Sequence, residues 1–257
     1  MPIADLAQNL CVVAASSCMD EGRALADRLG VRMCASAEEA TCPLVLRRGA
    51  EALTLAREGM SLTADFAGML KRAAQNNLAH ELLVKAARVK TPLEGRIRPL
   101  AVDATAGLGE DSFLLAAAGF DVVMYESDPV IAALLADALA RAATDDRLAP
   151  IVSRMRLVEA DSVAALRDWS GPRPDVVYLD PMFPSRTKSA AVKKKFQVIH
   201  GLEEPCKDPA GMMEAARAAR PRKIVVKRPV KGPLLADAKP SHQVSGKAVR
   251  YDCYVLG

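Results

Sequence analysis

Alternating apolar strands and helices from residue 100 onward constrain the fold more than any other feature of the sequence. The segment LAVDAT predicts a buried strand, and the helical segment GEDSFLLAAAG follows it. The same pairing recurs in FDVVMYES with DPVIAALLADALARAA, in RMRLVEAD with SVAALRDW, and in PDVVYLDP with DPAGMMEAARAAR. Such strand–helix units predict an α/β fold with a mostly parallel sheet, which binds ligands at the carboxyl ends of its strands. The segment KIVVKRP predicts a further strand, and the C-terminal SHQVSGKAVRYDCYVLG predicts an antiparallel hairpin.

The first part of the chain has a different organisation. LCVVAA predicts a strand, DEGRALADRLG a helix, and PLVLRR and ALTLAR two short strands around a turn at Gly49. A helical pattern over residues 66–89 is broken near residues 75–77. We therefore expect a small N-terminal α+β domain over residues 1–65 and a larger α/β domain over residues 66–257.

Composition excludes several classes of protein. Hydrophobic residues make up 51% and charged residues 26% of the chain, a balance typical of globular domains. The N-terminal MPIADLAQNL lacks the basic segment of a signal peptide, and no long uncharged apolar run occurs, so a cytoplasmic location without membrane insertion is expected. The six cysteines show no C-x-x-C spacing, which argues for reduced thiols and against a metal site.

Positive charge is concentrated in the last third of the chain. Residues 181–257 contain 16 Lys and Arg against 6 Asp and Glu, a balance of +10, whereas the whole chain carries +4. This asymmetry is compatible with a polyanionic partner or with a solvated basic surface.

The segment DATAGLGED lies between a strand and a helix, where Gly107 and Gly109 allow a ligand to approach the backbone closely. Ser112 replaces the third glycine of a dinucleotide fingerprint, and no phosphate-binding lysine follows. Carboxylates crowd the loop instead: Asp103, Glu110 and Asp111. They would repel a pyrophosphate but attract a ligand that carries a sulfonium and an amino group.

Two further acidic strand ends follow. Glu126 ends the second strand, where an acid can accept hydrogen bonds from both hydroxyls of a ribose. Asp161 and Ser162 follow the third strand and are placed to address an adenine edge. Each acid alone could be a helix cap, but carboxylates at three successive strand ends favour S-adenosylmethionine over a phosphate cofactor.

The segment DPMFP at the end of the fourth strand predicts an acceptor site. Asp180 and the carbonyl of Pro181 can accept hydrogen bonds from an exocyclic amine of a base and so orient its lone pair, while Phe183 can stack on the base. The alternative is a strand-ending turn with a core phenylalanine. Basic residues that could contact RNA phosphates follow: Arg186, Lys188, Lys193, Lys194 and Lys195.

The segments VDATAGLGED, DPVIAALLADALARA and VVYLDPMFPSRTKSAAVKK resemble the ribosomal RNA small subunit methyltransferase J family. The resemblance covers residues 66–257. It implies a class I, Rossmann-like methyltransferase that uses S-adenosylmethionine to methylate a guanine-N2 amine of 16S rRNA, with 16S rRNA or the small ribosomal subunit as partner. Matching its motifs gives the expected cofactor-binding set: Asp103, Gly107, Gly109, Glu110, Asp111, Glu126, Ser127, Asp161, Ser162 and Asp180.

Three alternatives remain open at this point. The enzyme could methylate another amine, such as adenine in DNA or a protein glutamine. A nicotinamide-dependent oxidoreductase could use a similar fold. A non-catalytic RNA-binding relative could have kept the fold without the activity.

Overall fold

The computed structural model describes residues 3–181, Val198 and residues 206–257, which form two compact units. The first unit contains residues 3–65 and 128–141, together with Val198. The second unit contains the remaining described residues: 66–127, 142–181 and 206–257. Within the described part of the chain, no helix is both long enough and apolar enough to cross a membrane.

The first unit contains a five-stranded sheet. Its elements are α1 (Ile3–Asn9), β1 (Leu10–Ala14), α2 (Met19–Leu29), β2 (Arg32–Cys34), β3 (Leu44–Arg48), β4 (Leu53–Arg57) and β5 (Met60–Thr63). The strand order is β2-β1-β3-β4-β5, with β1 parallel to both of its neighbours and the later pairs antiparallel. The predicted elements β1, α2, β3 and β4 are confirmed, whereas the short elements α1, β2 and β5 escaped the sequence analysis.

The second unit begins with three short helices and continues through the predicted strand–helix units. The elements that follow β5 along the chain are α3 (Leu70–Ala73), α4 (Gln75–Leu78), α5 (Leu82–Ala87), β6 (Leu100–Asp103), α6 (Glu110–Ala117), β7 (Asp121–Glu126), α7 (Pro129–Ala142), α8 (Ala149–Val152), β8 (Met155–Glu159), α9 (Ser162–Arg167), β9 (Val176–Leu179), α10 (Pro209–Ala218), β10 (Lys223–Pro229), β11 (His242–Ser245) and β12 (Val249–Val255). The predicted break in the first helical segment is present at Ala74, whose extended backbone separates α3 from α4.

Most of α7 groups with the first unit rather than with the strand that precedes it. Asp137 on α7 accepts hydrogen bonds from Arg48 Nη1 at 2.7 Å and from the backbone nitrogen of Leu53 at 3.1 Å. Arg141, one turn later, also donates to Asp137 at 2.8 Å. These contacts connect α7 to β3 and β4.

The seven strands of the second unit have the order β11-β12-β10-β9-β6-β7-β8. All neighbouring pairs are parallel except those that involve β12, which confirms the predicted antiparallel end of the sheet. The strands β6 and β9 are fully buried, as expected of central strands covered on both faces. Along the chain, the strands extend the sheet from β6 through β7 to β8 on one side, and then from β9 through β10 to the hairpin on the other. This reversal at β6 and β9 creates the crevice where α/β sheets bind ligands.

The amino end of the central strands is held by a buried acid, Asp175, just before β9. Its Oδ1 accepts from the backbone nitrogen of Leu93 at 2.9 Å, and its Oδ2 accepts from that of Leu100 at 2.9 Å. The guanidinium of Arg96 donates to the same Oδ2 at 2.7 Å. The side chain of Asp175 is 0% exposed, so all of its partners lie within the protein.

Candidate active site at the carboxyl ends of the sheet

The glycine loop after β6 turns over the end of β7. Gly107 and Gly109 have φ angles of 53° and 78°, a left-handed conformation that glycine adopts without the steric cost of a side chain. The backbone nitrogen of Gly107 donates to Glu126 Oε2 at 2.8 Å, and that of Ala106 donates to the carbonyl of Tyr125 at 3.1 Å. The predicted ribose acceptor, Glu126, therefore also holds the loop that is expected to receive the cofactor.

Asp103, at the end of β6, is only 1% exposed. Its Oδ2 accepts from Ser112 Oγ at 2.6 Å, and its Oδ1 accepts from the backbone nitrogen of Thr105 at 3.0 Å. Burial raises the pKa of Asp103 to about 7, against the opposing effect of these hydrogen bonds. The sequence analysis placed Asp103 among the cofactor-binding residues, and its observed partners are the loop and the first turns of α6.

Thr105 joins the glycine loop to the end of β9. Its hydroxyl accepts a hydrogen bond from the backbone nitrogen of Asp180 at 2.7 Å and lies 3.4 Å from Asp103 Oδ1, to which it donates. The backbone nitrogen of Ala104 donates to the carbonyl of Tyr178 at 3.0 Å. The first residues of the predicted cofactor loop are thus hydrogen-bonded to the first residues of the predicted acceptor motif.

One lysine lies between two acids at this edge. Lys227 Nζ is 2.7 Å from Asp111 Oδ2 and 2.8 Å from Asp180 Oδ2. The hydroxyl of Tyr178 donates to the same oxygen of Asp111 at 2.6 Å. Three elements of the second unit, namely α6, β9 and β10, therefore contribute to a single charged cluster, which we call the Lys227 cluster: Asp111, Tyr178, Asp180 and Lys227.

Burial and charge act in opposite directions within the Lys227 cluster. Burial alone would raise the pKa of Asp111, but the Lys227 ammonium and the hydrogen bonds from Lys227 and Tyr178 outweigh it and lower that pKa. Burial alone would lower the pKa of Lys227, but Asp111 and Asp180 raise it. Burial, reinforced by the two nearby carboxylates, raises the pKa of Tyr178 well above its usual value. The lysine therefore stays charged and the tyrosine stays a hydrogen-bond donor.

Lys227 and Tyr178 were not identified by the sequence analysis. The signal was present in KIVVKRP, where a lysine follows three apolar residues near the end of a strand. Val226 pairs with Leu179 in the sheet, so the next residues along the two strands are Lys227 and Asp180. Placing that lysine beside the acid required the pairing of β9 with β10, which sequence periodicity does not provide.

The other predicted site residues take varied positions. Glu110 is exposed in the first turn of α6, and Ser127 is exposed just after β7. Asp161 caps α9 by accepting from the backbone nitrogen of Ala164 at 2.7 Å, and Ser162 begins that helix. Pro181 is buried. The remaining predicted residues lie outside the described part of the chain: Phe183, Arg186, Lys188, Lys193, Lys194 and Lys195.

Acidic side chains occur at or just after the ends of four adjacent parallel strands. In sheet order from the edge they are Asp161 after β8, Glu126 on β7, Asp103 on β6 and Asp180 after β9. These four carboxylates are hydrogen-bond acceptors and suit a ligand with ribose hydroxyls and cationic groups better than one with a pyrophosphate. Among the described residues, no group of three or more His, Cys, Asp or Glu side chains is arranged to hold a metal ion.

Comparison with known proteins agrees with this geometry. Residues 25–256 match the family of SAM-dependent methyltransferases. The chain is 43% identical to the ribosomal RNA small subunit methyltransferase J of Thioalkalivibrio sulfidiphilus, over 93% of this chain and 94% of that protein. It is 39% identical to the protein of the same name from Pseudomonas aeruginosa, over 93% of this chain and 91% of the relative.

A solved structure extends the likeness to three dimensions. The crystal structure of a SAM-dependent methyltransferase from Neisseria gonorrhoeae superposes with a TM-score of 0.75 at 26% identity, and the match covers 96% of each chain. The fold predicted from the strand–helix alternation is therefore confirmed as that of a class I methyltransferase. Together with the sequence matches along nearly the full length, this likeness shows that the chain belongs to the ribosomal RNA small subunit methyltransferase J family of SAM-dependent enzymes.

Proposed function

We propose that this protein transfers a methyl group from S-adenosylmethionine to the exocyclic N2 amine of a guanosine in 16S rRNA, as free rRNA or within the small ribosomal subunit. The relatives named above support RNA as the substrate class. The observation that carries the proposal is the position of Asp180. Its side chain is 37% exposed at the end of β9 and ion-paired to Lys227, and its backbone nitrogen donates to Thr105 of the cofactor loop.

The chemistry asked of Asp180 is orientation. The lone pair of an exocyclic amine is delocalised into the base, so the amine is a poor nucleophile. It becomes a better one when its hydrogens are held so that the lone pair points away from the ring system and toward the methyl donor. The Asp180 carboxylate and the Pro181 carbonyl would accept those hydrogens and direct the lone pair at the methyl group. When bound, S-adenosylmethionine supplies a methyl group on a cationic sulfur, from which displacement is favourable. Asp180 can then take the proton that the amine gives up once the N–C bond has formed.

The cofactor would lie along the carboxyl ends of β6, β7 and β8. Gly107 and Gly109 would admit it to the loop, Glu126 would accept hydrogen bonds from its ribose hydroxyls, and Asp161 would lie near its adenine. A negatively charged edge of the sheet would also attract the sulfonium and amino groups of this ligand.

The target base must leave its stack to reach Asp180, because the reacting amine is inaccessible within a helix. Phe183 would stack on the extruded base. The basic residues after it would hold the flanking phosphates: Arg186, Lys188, Lys193, Lys194 and Lys195. We further propose that residues 66–257 form the methyltransferase domain, that residues 1–65 form an appended domain, and that the enzyme acts in the cytoplasm.

Methyl transfer to defined substrates tests the proposal. Purified protein is incubated with isotopically labelled S-adenosylmethionine and, separately, with small subunits, with free 16S rRNA from cells lacking the enzyme, with duplex DNA and with a protein extract. Nucleoside mass spectrometry is expected to find labelled N2-methylguanosine in the rRNA. Label in DNA adenine or protein glutamine, or binding of NAD in place of S-adenosylhomocysteine, would contradict the proposal.

A further inference from the structure

The Lys227 cluster contains one ammonium and two carboxylates that approach it from different elements. Lys227 Nζ contacts Asp111 on the helix after the glycine loop and Asp180 at the acceptor end of β9, at 2.7 and 2.8 Å. The exposed fractions differ: the side chain of Asp111 is 19% exposed, and that of Asp180 is 37% exposed. The more buried carboxylate therefore holds the ammonium, and the more exposed one is available to a substrate.

Removing the ammonium would change the protonation of the pair. Without the ammonium between them, the two carboxylates would repel each other, and this repulsion raises the pH at which one of them takes up a proton. A protonated carboxyl is a hydrogen-bond donor at its O–H, whereas an amine that is to be oriented needs acceptors. A neutral residue at position 227 would thus convert part of the acceptor site into a donor.

We propose that Lys227 is a positioning residue that keeps the Asp180 carboxylate an ionised acceptor and fixes its direction toward the target amine. The role of Asp180 as acceptor rests on the proposed function, whereas the effect of Lys227 on the charge of the pair does not. Asp111 and Tyr178 form the support of this lysine, because the Tyr178 hydroxyl donates to the same Asp111 oxygen that contacts Lys227.

Other charged or titratable groups surround the cluster and bear on its pH dependence. Those that act on its members are Asp103 on β6, Arg72 on α3, Arg228 on β10 and Tyr251 on β12. Tyr251 stays neutral near pH 7, since burial raises its pKa. Arg72 lies further from the pair and is itself bound to Glu81 by two hydrogen bonds of 2.8 Å. None of these groups is shown in direct contact with both carboxylates, as Lys227 is.

The test compares Lys227→Met, Lys227→Arg and the matched control Lys223→Met. Lys223 lies on the same strand, and its ammonium donates to the carbonyls of Ala86 and Arg88 rather than to a carboxylate. Carbon-13 NMR of labelled aspartate carboxyls follows the protonation of each protein between about pH 5 and 8. In Lys227→Met we expect an additional proton to titrate within this range. We expect no such proton in wild type, in Lys227→Arg or in Lys223→Met.

The same proteins are assayed for methyl transfer and for S-adenosylhomocysteine binding. Lys227→Met is expected to lose about 100-fold in kcat near pH 7, the size of effect that misplacement of a reacting group produces. The acid limb of its pH–kcat profile should move to higher pH. Lys227→Arg should recover part of the wild-type kcat. Affinity for S-adenosylhomocysteine should change much less than the rate, because the proposed ribose and adenine contacts, Glu126 and Asp161, lie outside the Lys227 cluster.

Two outcomes would overturn the role of Lys227. One is a carboxyl titration in Lys227→Met that matches the Lys223→Met control. The other is an equal loss of rate in Lys227→Met and Lys227→Arg at every pH, accompanied by a parallel loss of S-adenosylhomocysteine affinity. The NMR titration uses no RNA, so it tests the charge of Asp111 and Asp180 independently of the proposed function. A wild-type enzyme that methylates no rRNA would instead overturn the proposed function.

Discussion

The two ends of strand β9 each carry an aspartate, and the two acids differ in their exposure and in their hydrogen-bond partners. Asp175, at the amino end, is 0% exposed and accepts from two backbone nitrogens and Arg96. Asp180, at the carboxyl end, is 37% exposed and is ion-paired to Lys227. The first acid has all of its partners within the protein, whereas the second faces solvent at the crevice of the sheet.

The difference teaches that an acid at a strand end is not by itself a sign of function. Asp175 joins the chain before β6 to the start of β9, and so contributes to folding. Asp180 is ion-paired to Lys227 and is partly exposed at the carboxyl edge, where the sheet binds ligands. Asp103 shares one property with each of them: it lies at the carboxyl edge, as Asp180 does, and it is almost as buried as Asp175.

The largest effect on stability is expected from pH, through Asp103. Its pKa of about 7 is raised mainly by burial, so the folded state holds this proton more tightly than the unfolded chain does. Its contribution to stability is therefore fully present below about pH 4 and is lost as the pH rises to about 7, by up to about 4 kcal/mol. Urea denaturation of wild type and Asp103→Asn across this range measures it.

Asp103→Asn cannot lose a proton, so its stability should depend less steeply on pH than that of wild type. Parallel pH curves for the two proteins would show that Asp103 does not titrate in this range.

The next effect is expected at the amino end of β9. Asp175→Asn places an amide N–H₂ group among donors and removes the buried one of the two carboxylates that Arg96 contacts, so unfolding free energy should fall by roughly 3 kcal/mol. Urea denaturation measures this change. Asp121→Asn is the control at the amino end of another strand of the same sheet, β7, because Asp121 is 49% exposed and lies 3.9 Å from Arg98. We expect no measurable change there, and equal losses in both variants would contradict the structural role assigned to Asp175.

The smallest effect is expected at Asp161, where a cap and a predicted cofactor contact coincide. Asp161→Ala removes the side-chain acceptor for the Ala164 nitrogen and should cost about 1 kcal/mol of stability. Asp161→Ser keeps a capping oxygen and should retain that stability. If Asp161 also contacts the adenine, both variants should bind S-adenosylhomocysteine more weakly in calorimetry. Full affinity in Asp161→Ser would restrict Asp161 to the cap.

Much of the fold could be predicted because its strands are continuous apolar runs separated by helical patterns. The strands β6, β7 and β9 and the helix α7 occur where the sequence indicates them. The elements β2 and β5 have only three and four residues of mixed polarity, so no periodicity could develop. The grouping of α7 with the first unit depends on contacts with Arg48 and Leu53, which are remote in sequence.

The edge of the sheet on which the candidate residues lie could be predicted, whereas the charge balance among them could not. Acids at strand ends identify the functional edge of a parallel sheet, which led to Glu126 and Asp180. Sequence alone could not distinguish the buried Asp103 from the partly exposed Asp180, because both come at the end of an apolar strand. Lys227 was missed because a lysine near the end of a strand normally indicates a solvated position. Its neighbour Asp180 is 47 residues away in the chain.

The central claim is that chemistry and folding are divided between the two ends of β9, and one measurement tests it most directly. Single-turnover methyl transfer to small subunits or free 16S rRNA is measured for wild type, Asp180→Asn and Asp175→Asn, per folded molecule. We predict that Asp180→Asn loses about 100- to 1000-fold in rate, binds S-adenosylhomocysteine normally and keeps its stability, whereas Asp175→Asn keeps its rate. An Asp180→Asn enzyme that methylates rRNA at the wild-type rate would contradict the account.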